Sequence, residues 1–224
     1  MIEEIICGID EAGRGPVLGP LVLCGVCFAK SELNYLKEIG AKDSKKLTAK
    51  KRKELTKLIK ENCHSYHVIV VSASEIDQRE EKRITLNRLE ELKMAEIANK
   101  LKPHVLYLDA ADVNEKRFGV SIGKMLDYDI KEIVSKHRAD DLFPIVSAAS
   151  IIAKDKRDAI IEELSQKHGD FGSGYPSDER TTTFLRAWIK KNKKAPPFCR
   201  KSWETTKKML EEEVGNKKIT DYFK

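Results

Sequence analysis

The chain has 224 residues, with 42 Lys or Arg against 36 Asp or Glu, which gives a formal charge of +6 at pH 7. This length suits one main domain with a sizeable core and a small appendage, and the mild basic excess favours an anionic partner without requiring one. Five scattered cysteines argue against a disulfide framework, and no apolar run approaches the ~20 residues that span a bilayer, so we expect a protein of the reducing cytoplasm with no membrane partner.

Apolar patterning in the first half of the chain predicts strands that alternate with helices. Three strands are predicted, at 5–9, 21–28 and 66–71. Helices are predicted at 31–40, 48–63 and 85–101, and an irregular or helical connection at 72–83. A tight, glycine-rich corner joins the first two strands, and Asp10 and Glu11 stand at its beginning.

The second half continues with a predicted strand at 105–108 that ends on Asp109. Helices are predicted at 115–126, 144–168, 178–193 and 202–214, and the stretch at 130–137 fits either a strand or a helix. We therefore predict three parts: an α/β domain over 1–168, a helical C-terminal subdomain over 169–214 and a short basic tail over 215–224.

Carboxylates stand at the ends of two predicted core strands: Asp10 with Glu11, and Asp109. Ligands of open α/β sheets bind beyond the carboxyl ends of strands, so these residues face a common cleft if the two strands are neighbours. Converging carboxylates repel one another, and a set of oxygen ligands favours Mg²⁺ or Mn²⁺. Simpler interpretations stay open: a turn cap for Asp10, an ion pair with Arg14 for Glu11, and a helix cap for Asp109.

The sequence argues against thiol-based, nucleotide-binding and serine hydrolase sites. Cys24 and Cys27 form a C-x-x-C pair, but on a strand their side chains point to opposite faces, so we interpret them as small core residues. The glycines at 13 and 15 lack the third glycine of a dinucleotide fingerprint, and nothing matches a P-loop. No serine lies in the G-x-S-x-G elbow of a serine hydrolase.

Five motifs, which together extend over nearly the whole chain, resemble those of the archaeal type 2 ribonucleases H, the ribonuclease HII family. They are DEAGRGP at 10–16, DSKKL at 43–47, LDAADV at 108–113, SAASIIAK at 147–154 and GSGYP at 172–176. The resemblance implies a ribonuclease H-like α/β fold, in which helices flank a mixed five-stranded sheet. It also implies a metal-dependent endonuclease that hydrolyses the RNA strand of RNA–DNA hybrids and nicks duplex DNA 5′ of an embedded ribonucleotide, leaving 3′-hydroxyl and 5′-phosphate ends.

The resemblance assigns the metal to four carboxylates, with Mg²⁺ or Mn²⁺ as the cofactor. They are Asp10, Glu11, Asp109 and Asp140. The fourth assignment is open, because Asp141 is adjacent and a shift of one residue would exchange the two. We interpret Asp112 as a structural residue near the site.

The resemblance also implies contacts with the substrate. Gly13, Arg14 and Gly15 are expected to read the ribose 2′-hydroxyl, since glycines let the backbone approach a sugar closely. Tyr175 is expected to pack at the junction between ribose and deoxyribose, although a half-buried loop tyrosine is the simpler interpretation. Phosphate contacts are expected from Lys45, Lys46 and Arg138.

The tail at 216–223 resembles the peptide that binds the sliding clamp. Its apolar plug comprises Ile219, Tyr222 and Phe223, which suits one helical turn inserted into a groove. A frayed basic terminus is the simpler alternative. We expect the protein itself to be a monomer.

Two rival functions are left open by the residues alone. The basic balance also suits a module that binds nucleic acid without cleaving it. The carboxylates also suit a metal-dependent nuclease with another substrate, such as a DNA junction. Cleavage tests with and without metal, on ribonucleotide-containing and all-DNA duplexes, separate the three hypotheses.

Overall fold

The structure is a computed structural model that describes residues 3–41 and 47–215. Its described strands form one five-stranded sheet in the order β3-β2-β1-β4-β5, and they are β1 Ile5–Ala12, β2 Leu21–Ala29, β3 Ser65–Val71, β4 Val105–Asp109 and β5 Glu132–Lys136. Strand β1 is antiparallel to β2 and parallel to β4, which is in turn parallel to β5. The sheet is therefore mixed, and the predicted fold class is confirmed.

Nine α-helices lie in the described part of the chain. They are α1 Leu33–Glu38, α2 Ala49–Asn62, α3 Ala73–Glu81, α4 Leu86–Leu101, α5 Glu115–Gly123, α6 Ala139–Leu142, α7 Pro144–His168, α8 Glu179–Asn192 and α9 Glu204–Leu210. Five begin at a polar residue whose side chain accepts a backbone N–H of the first turn: Thr48, Ser72, Thr85, Asn114 and Asp178. None of the described helices combines the length and the apolar character that crossing a membrane requires.

The structure confirms most predicted elements and resolves the ambiguous ones. The connection at 72–83 contains α3, and the stretch at 130–137 contains the strand β5. The last α-helix ends at Leu210 and continues as a π-helical turn over Glu211–Gly215, whereas the sequence predicted one helix through 214. The sequence did not predict α6, because four residues are too few to show a helical periodicity.

The chain forms two compact units. The first comprises Met1–Ala12, Val22–Val70 and Ile84–Arg157. The second comprises Gly13–Leu21, Val71–Arg83 and Asp158–Lys224. The second unit thus contains two segments that lie far in sequence from the C-terminal helices, whereas the predicted domain limits follow the order of the chain.

Close packing of helices on both faces of the sheet organises the first unit. A Cβ added to Gly8 of β1 would lie 2.4 Å from the carbonyl oxygen of Ile145 in α7, and one added to Gly25 of β2 would lie 2.4 Å from Cγ2 of Ile97 in α4. Gly8 and Gly25 point to opposite faces, because Gly25 is paired with Ile9, the residue after Gly8. These glycines therefore let α7 and α4 pack directly against the centre of the sheet.

An aromatic core holds the second unit together. Phe198 lies at its centre, with its ring centroid 5.4 Å from that of Phe171 and 4.9 Å from that of His168. Leu185 and Ile189 of α8 are fully buried in the same cluster, together with Val17 from the N-terminal segment. Burial of these side chains fixes residues near position 17 against helices from the end of the chain.

Replacing Gly8 with alanine is expected to destabilise the fold by about 3 kcal/mol and to lower Tm by about 10 °C, because the new methyl group meets a backbone oxygen that cannot move away. Gly215→Ala is the control, since a Cβ there meets nothing within 4 Å. Thermal unfolding followed by circular dichroism measures both variants. A Tm of Gly8→Ala equal to that of Gly215→Ala would contradict the close approach of α7.

Candidate active site

Two of the candidate carboxylates lie side by side where the parallel pairing of β1 and β4 ends. Ile9 of β1 is paired with Leu108 of β4, so Asp10 and Asp109 each follow one residue later on neighbouring strands. Asp10 is buried, with 4% of its surface exposed, and the charge of Asp109 raises its pKa. The condition set by the sequence, that these two strands are neighbours, is therefore met.

Asp140 reaches the same group from the helix that follows β5. The chain turns at Arg138, which has a left-handed backbone with φ of 55°, and α6 then begins. The backbone N–H of Ala139 donates to Oδ1 of Asp109 at 3.0 Å. Asp140 is buried, with 4% exposed, and its charge also raises the pKa of Asp10. The structure thus brings Asp10, Asp109 and Asp140 close enough to interact.

Asp141 is engaged elsewhere, although it is next to Asp140 in sequence. Its Oδ2 accepts a hydrogen bond from Nε of Arg138 at 2.9 Å and forms an ion pair with Nη2 of the same side chain. The Arg138 side chain is largely exposed, so this pair lies at the surface. A basic side chain that the sequence assigned to phosphate binding therefore pairs with the alternative fourth carboxylate.

Glu11 contacts Asp10 through its backbone. Its N–H donates to Oδ1 of Asp10 at 2.7 Å. Side chains alternate between the two faces of a strand, so the half-buried Glu11 carboxylate starts from the face opposite to that of Asp10. Of the four carboxylates assigned to the metal, Glu11 is the one that strand geometry supports least.

The surroundings of Asp10 raise the pKa of its carboxyl group into the neutral range. Burial raises its pKa from the ordinary 3.8 to about 7, and the negative charges of Asp109 and Asp140 act in the same direction. Hydrogen bonds from the Ser150 hydroxyl and from the backbone N–H of Glu11 oppose these effects. A carboxyl group with a pKa this far from its usual range is typical of a functional site.

Ser150 is a site residue to which the sequence assigned no role. It lies in α7, is buried, and donates its hydroxyl to Asp10. The sequence signal for it is a lone polar residue in the apolar stretch at 148–153. A buried hydroxyl in such a stretch needs a hydrogen-bond partner, and here the partner is the carboxylate at the strand end.

The donor chemistry of this group suits a hard divalent cation. All the candidate donors are carboxylate oxygens, which favour Mg²⁺ or Mn²⁺, and a cation would relieve the repulsion that raises the pKa of Asp10. Among the residues that the structure describes, no three His, Cys, Asp or Glu side chains are already arranged around a common metal position.

Asp112 stabilises the loop that follows β4. Nη2 of Arg117 donates to both of its carboxylate oxygens at 2.6 Å, and the N–H of Asn114 donates to Oδ1 at 2.8 Å. The guanidinium of Arg117 holds the pKa of Asp112 below its usual value. Its carbonyl oxygen lies 2.7 Å from Nε2 of His137. These contacts agree with the structural role expected for Asp112.

The residues expected to read the sugar lie in the second unit. Gly13 has a φ of 86°, a backbone conformation that favours glycine. A Cβ added to Gly15 would lie 3.6 Å from Cε1 of Tyr175, whose ring is partly exposed. The N–H of Val17 donates to the carbonyl oxygen of Gly174 at 2.8 Å, which ties the two segments together. We call Gly13, Arg14 and Gly15 the 13–15 loop.

The remaining candidate residues of the sequence analysis lie outside the described part of the chain. They are Lys45 and Lys46 of the expected phosphate contacts and Ile219, Tyr222 and Phe223 of the expected clamp-binding plug.

Comparisons with known proteins agree on one family. The model of the ribonuclease HII family matches residues 7–206. A ribonuclease HII from Methanocella arvoryzae is 50% identical over 206 residues, which cover 92% of this chain and 91% of the relative.

Solved structures agree with the sequence relatives. The crystal structure of the ribonuclease H2 from Pyrococcus horikoshii OT3 is 42% identical to this chain, with a TM-score of 0.89 over 95% of this chain and 100% of that one. A chain in the structure of the PCNA:RNase HII complex from Archaeoglobus fulgidus is 40% identical, with a TM-score of 0.82 over 89% of this chain and 95% of that one.

Asp10→Asn is expected to stabilise the protein in EDTA at pH 7.5, by roughly 1–3 kcal/mol, because it removes a charge that burial disfavours. The raised pKa makes the native state bind more protons than the unfolded chain between pH 4 and 7, so wild-type stability falls as the pH rises through that window. The increase in the free energy of unfolding caused by Asp10→Asn is therefore larger at pH 7.5 than at pH 4.5.

Thermal unfolding at the two pH values measures this effect. Asp112→Asn is the matched control, and its effect on Tm should be opposite: it breaks the pairing with Arg117 and should lower Tm at pH 7.5. If Asp10→Asn lowers Tm as Asp112→Asn does, the Asp10 carboxylate is stabilised rather than strained by its surroundings, and the electrostatic description is wrong.

Proposed function

The chain belongs to the ribonuclease HII family of hydrolytic endonucleases, and on that premise we propose that it hydrolyses the RNA strand of RNA–DNA hybrids and nicks duplex DNA 5′ of an embedded ribonucleotide. The products would carry 3′-hydroxyl and 5′-phosphate ends. The observation that carries the proposal is the cluster formed by Asp10 of β1, Asp109 at the end of β4 and Asp140 of α6, in which Asp10 and Asp140 are buried and the charges of Asp109 and Asp140 raise the pKa of Asp10. A cluster of this kind has no structural purpose that apolar residues would not serve better.

Asp10, Asp109 and Asp140, together with Glu11, would hold Mg²⁺ or Mn²⁺. Bound there, the metal would activate a water molecule for attack on the scissile phosphodiester and neutralise charge on the leaving oxygen. The involvement of Glu11 rests on the family resemblance more than on strand geometry, since its side chain must turn towards the face of Asp10.

Neighbouring residues orient these carboxylates. The Ser150 hydroxyl donates to Asp10, and the Ala139 N–H donates to Oδ1 of Asp109. Asp10 must lose its proton before it binds a cation, and its pKa of about 7 makes cation affinity rise with pH through the neutral range. The same carboxyl group that destabilises the fold is thus prepared to bind metal when the proton leaves.

The second unit would supply recognition of the sugar. The 13–15 loop offers backbone groups to the ribose 2′-hydroxyl, which distinguishes RNA from DNA. Tyr175 lies against Gly15 and is partly exposed, which supports a role for its ring beside the same sugar. Lys45, Lys46 and Arg138 would contact phosphates, and Arg138 would exchange its ion pair with Asp141 for a phosphate oxygen.

The tail would bind the sliding clamp through Ile219, Tyr222 and Phe223. The structure of a PCNA:RNase HII complex from Archaeoglobus fulgidus supports such a partner for this chain. We further propose that the protein acts as a monomer in a reducing cytoplasm, where its five free cysteines would remain thiols.

The fourth carboxylate is tested by a matched pair of variants. Asp140→Asn is expected to lower kcat for nicking a duplex with one ribonucleotide by roughly 10²-fold or more, because a ligand of the metal is lost. Asp141→Asn should stay within about threefold of wild type, since that residue pairs with Arg138 at the surface. Cleavage-site mapping on the same duplex with Mg²⁺, Mn²⁺ and EDTA gives the position and metal dependence of the nick.

Several outcomes would contradict this proposal. Equal losses in the two variants would remove the distinction between Asp140 and Asp141. Cleavage in EDTA would exclude the metal role. Binding of the duplex without cleavage under every metal condition would favour a non-catalytic module, and nicking of an all-DNA duplex at a similar rate would favour a different nuclease.

Removal of residues 215–224 is expected to abolish clamp binding while leaving the nicking of free duplex within about twofold of wild type. Surface plasmon resonance with the immobilised clamp measures binding. A double variant, Tyr222→Ala with Phe223→Ala, should behave like the truncation, whereas Lys217→Ala with Lys218→Ala should retain binding if the apolar plug carries the affinity. Undiminished binding by the truncated protein would refute the tail as the clamp ligand.

A further inference from the structure

Arg200 is a fully buried guanidinium in the second unit. None of its surface is exposed, and it is among the largest completely buried side chains of the protein. Burying a permanent positive charge is costly unless hydrogen bonds replace its hydration. The partners of this side chain therefore indicate what its burial achieves.

The guanidinium donates to backbone carbonyl oxygens of one short segment. Nη2 donates to Gly13 at 2.6 Å, Nη1 donates to Arg14 at 2.8 Å, and Nε donates to Gly19 at 3.1 Å. The N–H of Arg200 itself donates to the carbonyl oxygen of Val17 at 2.9 Å. The planar guanidinium group, whose N–H directions are fixed, thus holds the backbone from Gly13 to Gly19, which begins with the 13–15 loop.

Trp203 extends this contact to the third residue of the loop. Its Nε1 donates to the carbonyl oxygen of Gly15 at 3.3 Å. Its ring lies 4.9 Å from the guanidinium carbon of Arg200 and 4.9 Å from that of Arg79. The carbonyl oxygens of Gly13, Arg14 and Gly15 are therefore all held by two side chains that contact each other.

Holding the carbonyl oxygens also fixes the direction of the N–H groups. Across a trans peptide the C=O of one residue and the N–H of the next point to opposite sides, and the described chain contains no cis peptide. The carbonyls of Gly13 and Arg14 point towards Arg200, so the N–H groups of Arg14 and Gly15 point away from it. These are backbone donors of the kind a ribose hydroxyl oxygen would accept from.

We propose that Arg200, supported by Trp203, is a positioning residue that sets the orientation of the 13–15 loop for recognition of the ribose 2′-hydroxyl. This inference rests on the proposed function, in which that loop reads the sugar. The Arg200 side chain contacts the carbonyl oxygens of the 13–15 loop and not the substrate. Its effect is therefore on the preference of the protein for ribose over deoxyribose. If Arg200 served only to stabilise the core, its replacement would change the affinity for ribose-containing and all-DNA duplexes equally.

The test compares binding to two duplexes that differ in one hydroxyl group. Dissociation constants are measured with Ca²⁺ in place of Mg²⁺, for a DNA duplex with one ribonucleotide and for the same duplex with deoxyribose at that position. Their ratio is the ribose preference. Arg200→Lys keeps the charge but loses the planar guanidinium group, and Arg200→Met removes both. Arg79→Met is the matched control, because Arg79 also lies over the Trp203 ring but donates to Ile76 and Ser202 rather than to the loop.

The ribose preference of Arg200→Lys is expected to fall by about tenfold, with its affinity for the all-DNA duplex within about twofold of wild type. Arg79→Met should keep the wild-type preference. Trp203→Phe, which retains a ring but loses the donor to Gly15, should show a smaller loss of preference than Arg200→Lys. If Arg200→Met does not fold, as judged by circular dichroism, the ribose preference of Arg200→Lys alone tests the positioning role.

The contradicting results are distinguishable from failure of the proposed function. An unchanged ribose preference in a folded Arg200→Lys protein overturns the positioning role while the function stands. An equal loss of affinity for both duplexes also overturns it, since that result is expected of a residue that only stabilises the core. A wild-type protein that shows neither ribose preference nor nicking at the ribonucleotide refutes the proposed function, and the positioning role is then refuted with it.

Discussion

The burial of the Asp10 carboxyl group beside Asp109 is the constraint on which the rest of the site depends. Parallel pairing of β1 and β4 brings both residues to the same edge of the sheet. Burial and like charge together raise the pKa of Asp10 to about 7, which is a cost to the folded state at neutral pH. The fold tolerates that cost because helices α7 and α4 pack tightly on the two faces of the sheet, against β1 and β2 respectively. Stability from the core thus offsets the cost of holding buried carboxylates close together.

In the proposed function, chemistry and recognition would come from different units that follow each other directly in the chain. The carboxylates belong to the first unit, which the chain leaves at Ala12, and the 13–15 loop opens the second. Within the second unit, Tyr175 and Arg200 both approach that loop, although they are more than 150 residues away in sequence. The loop is therefore shaped by the C-terminal part of the chain, which explains why the second unit includes an N-terminal segment.

Much of this could be predicted from the sequence, and the limits have physical reasons. Strands, helices and their caps follow from local patterns, and Asp10 and Asp109 are visible as charges at the ends of apolar runs. The sequence alone does not separate Asp140 from Asp141, because neighbouring acidic residues look alike; in the structure Asp140 is buried near Asp10, whereas Asp141 pairs with Arg138. Arg200 carries no local signal of function, and the apolar stretch that makes Ser150 conspicuous does not reveal its partner, because the contacts of both side chains are with residues far along the chain.

The most direct test of the central claim is the number of protons released when Mn²⁺ binds, measured by isothermal titration calorimetry in buffers of different ionisation enthalpy. If Asp10 is a metal ligand with a pKa of about 7, binding should release close to one proton at pH 6, roughly 0.9, and almost none at pH 8.5. Asp10→Asn should bind Mn²⁺ more weakly and release no proton at either pH. Proton release by the wild-type protein that is the same at both pH values would contradict the account.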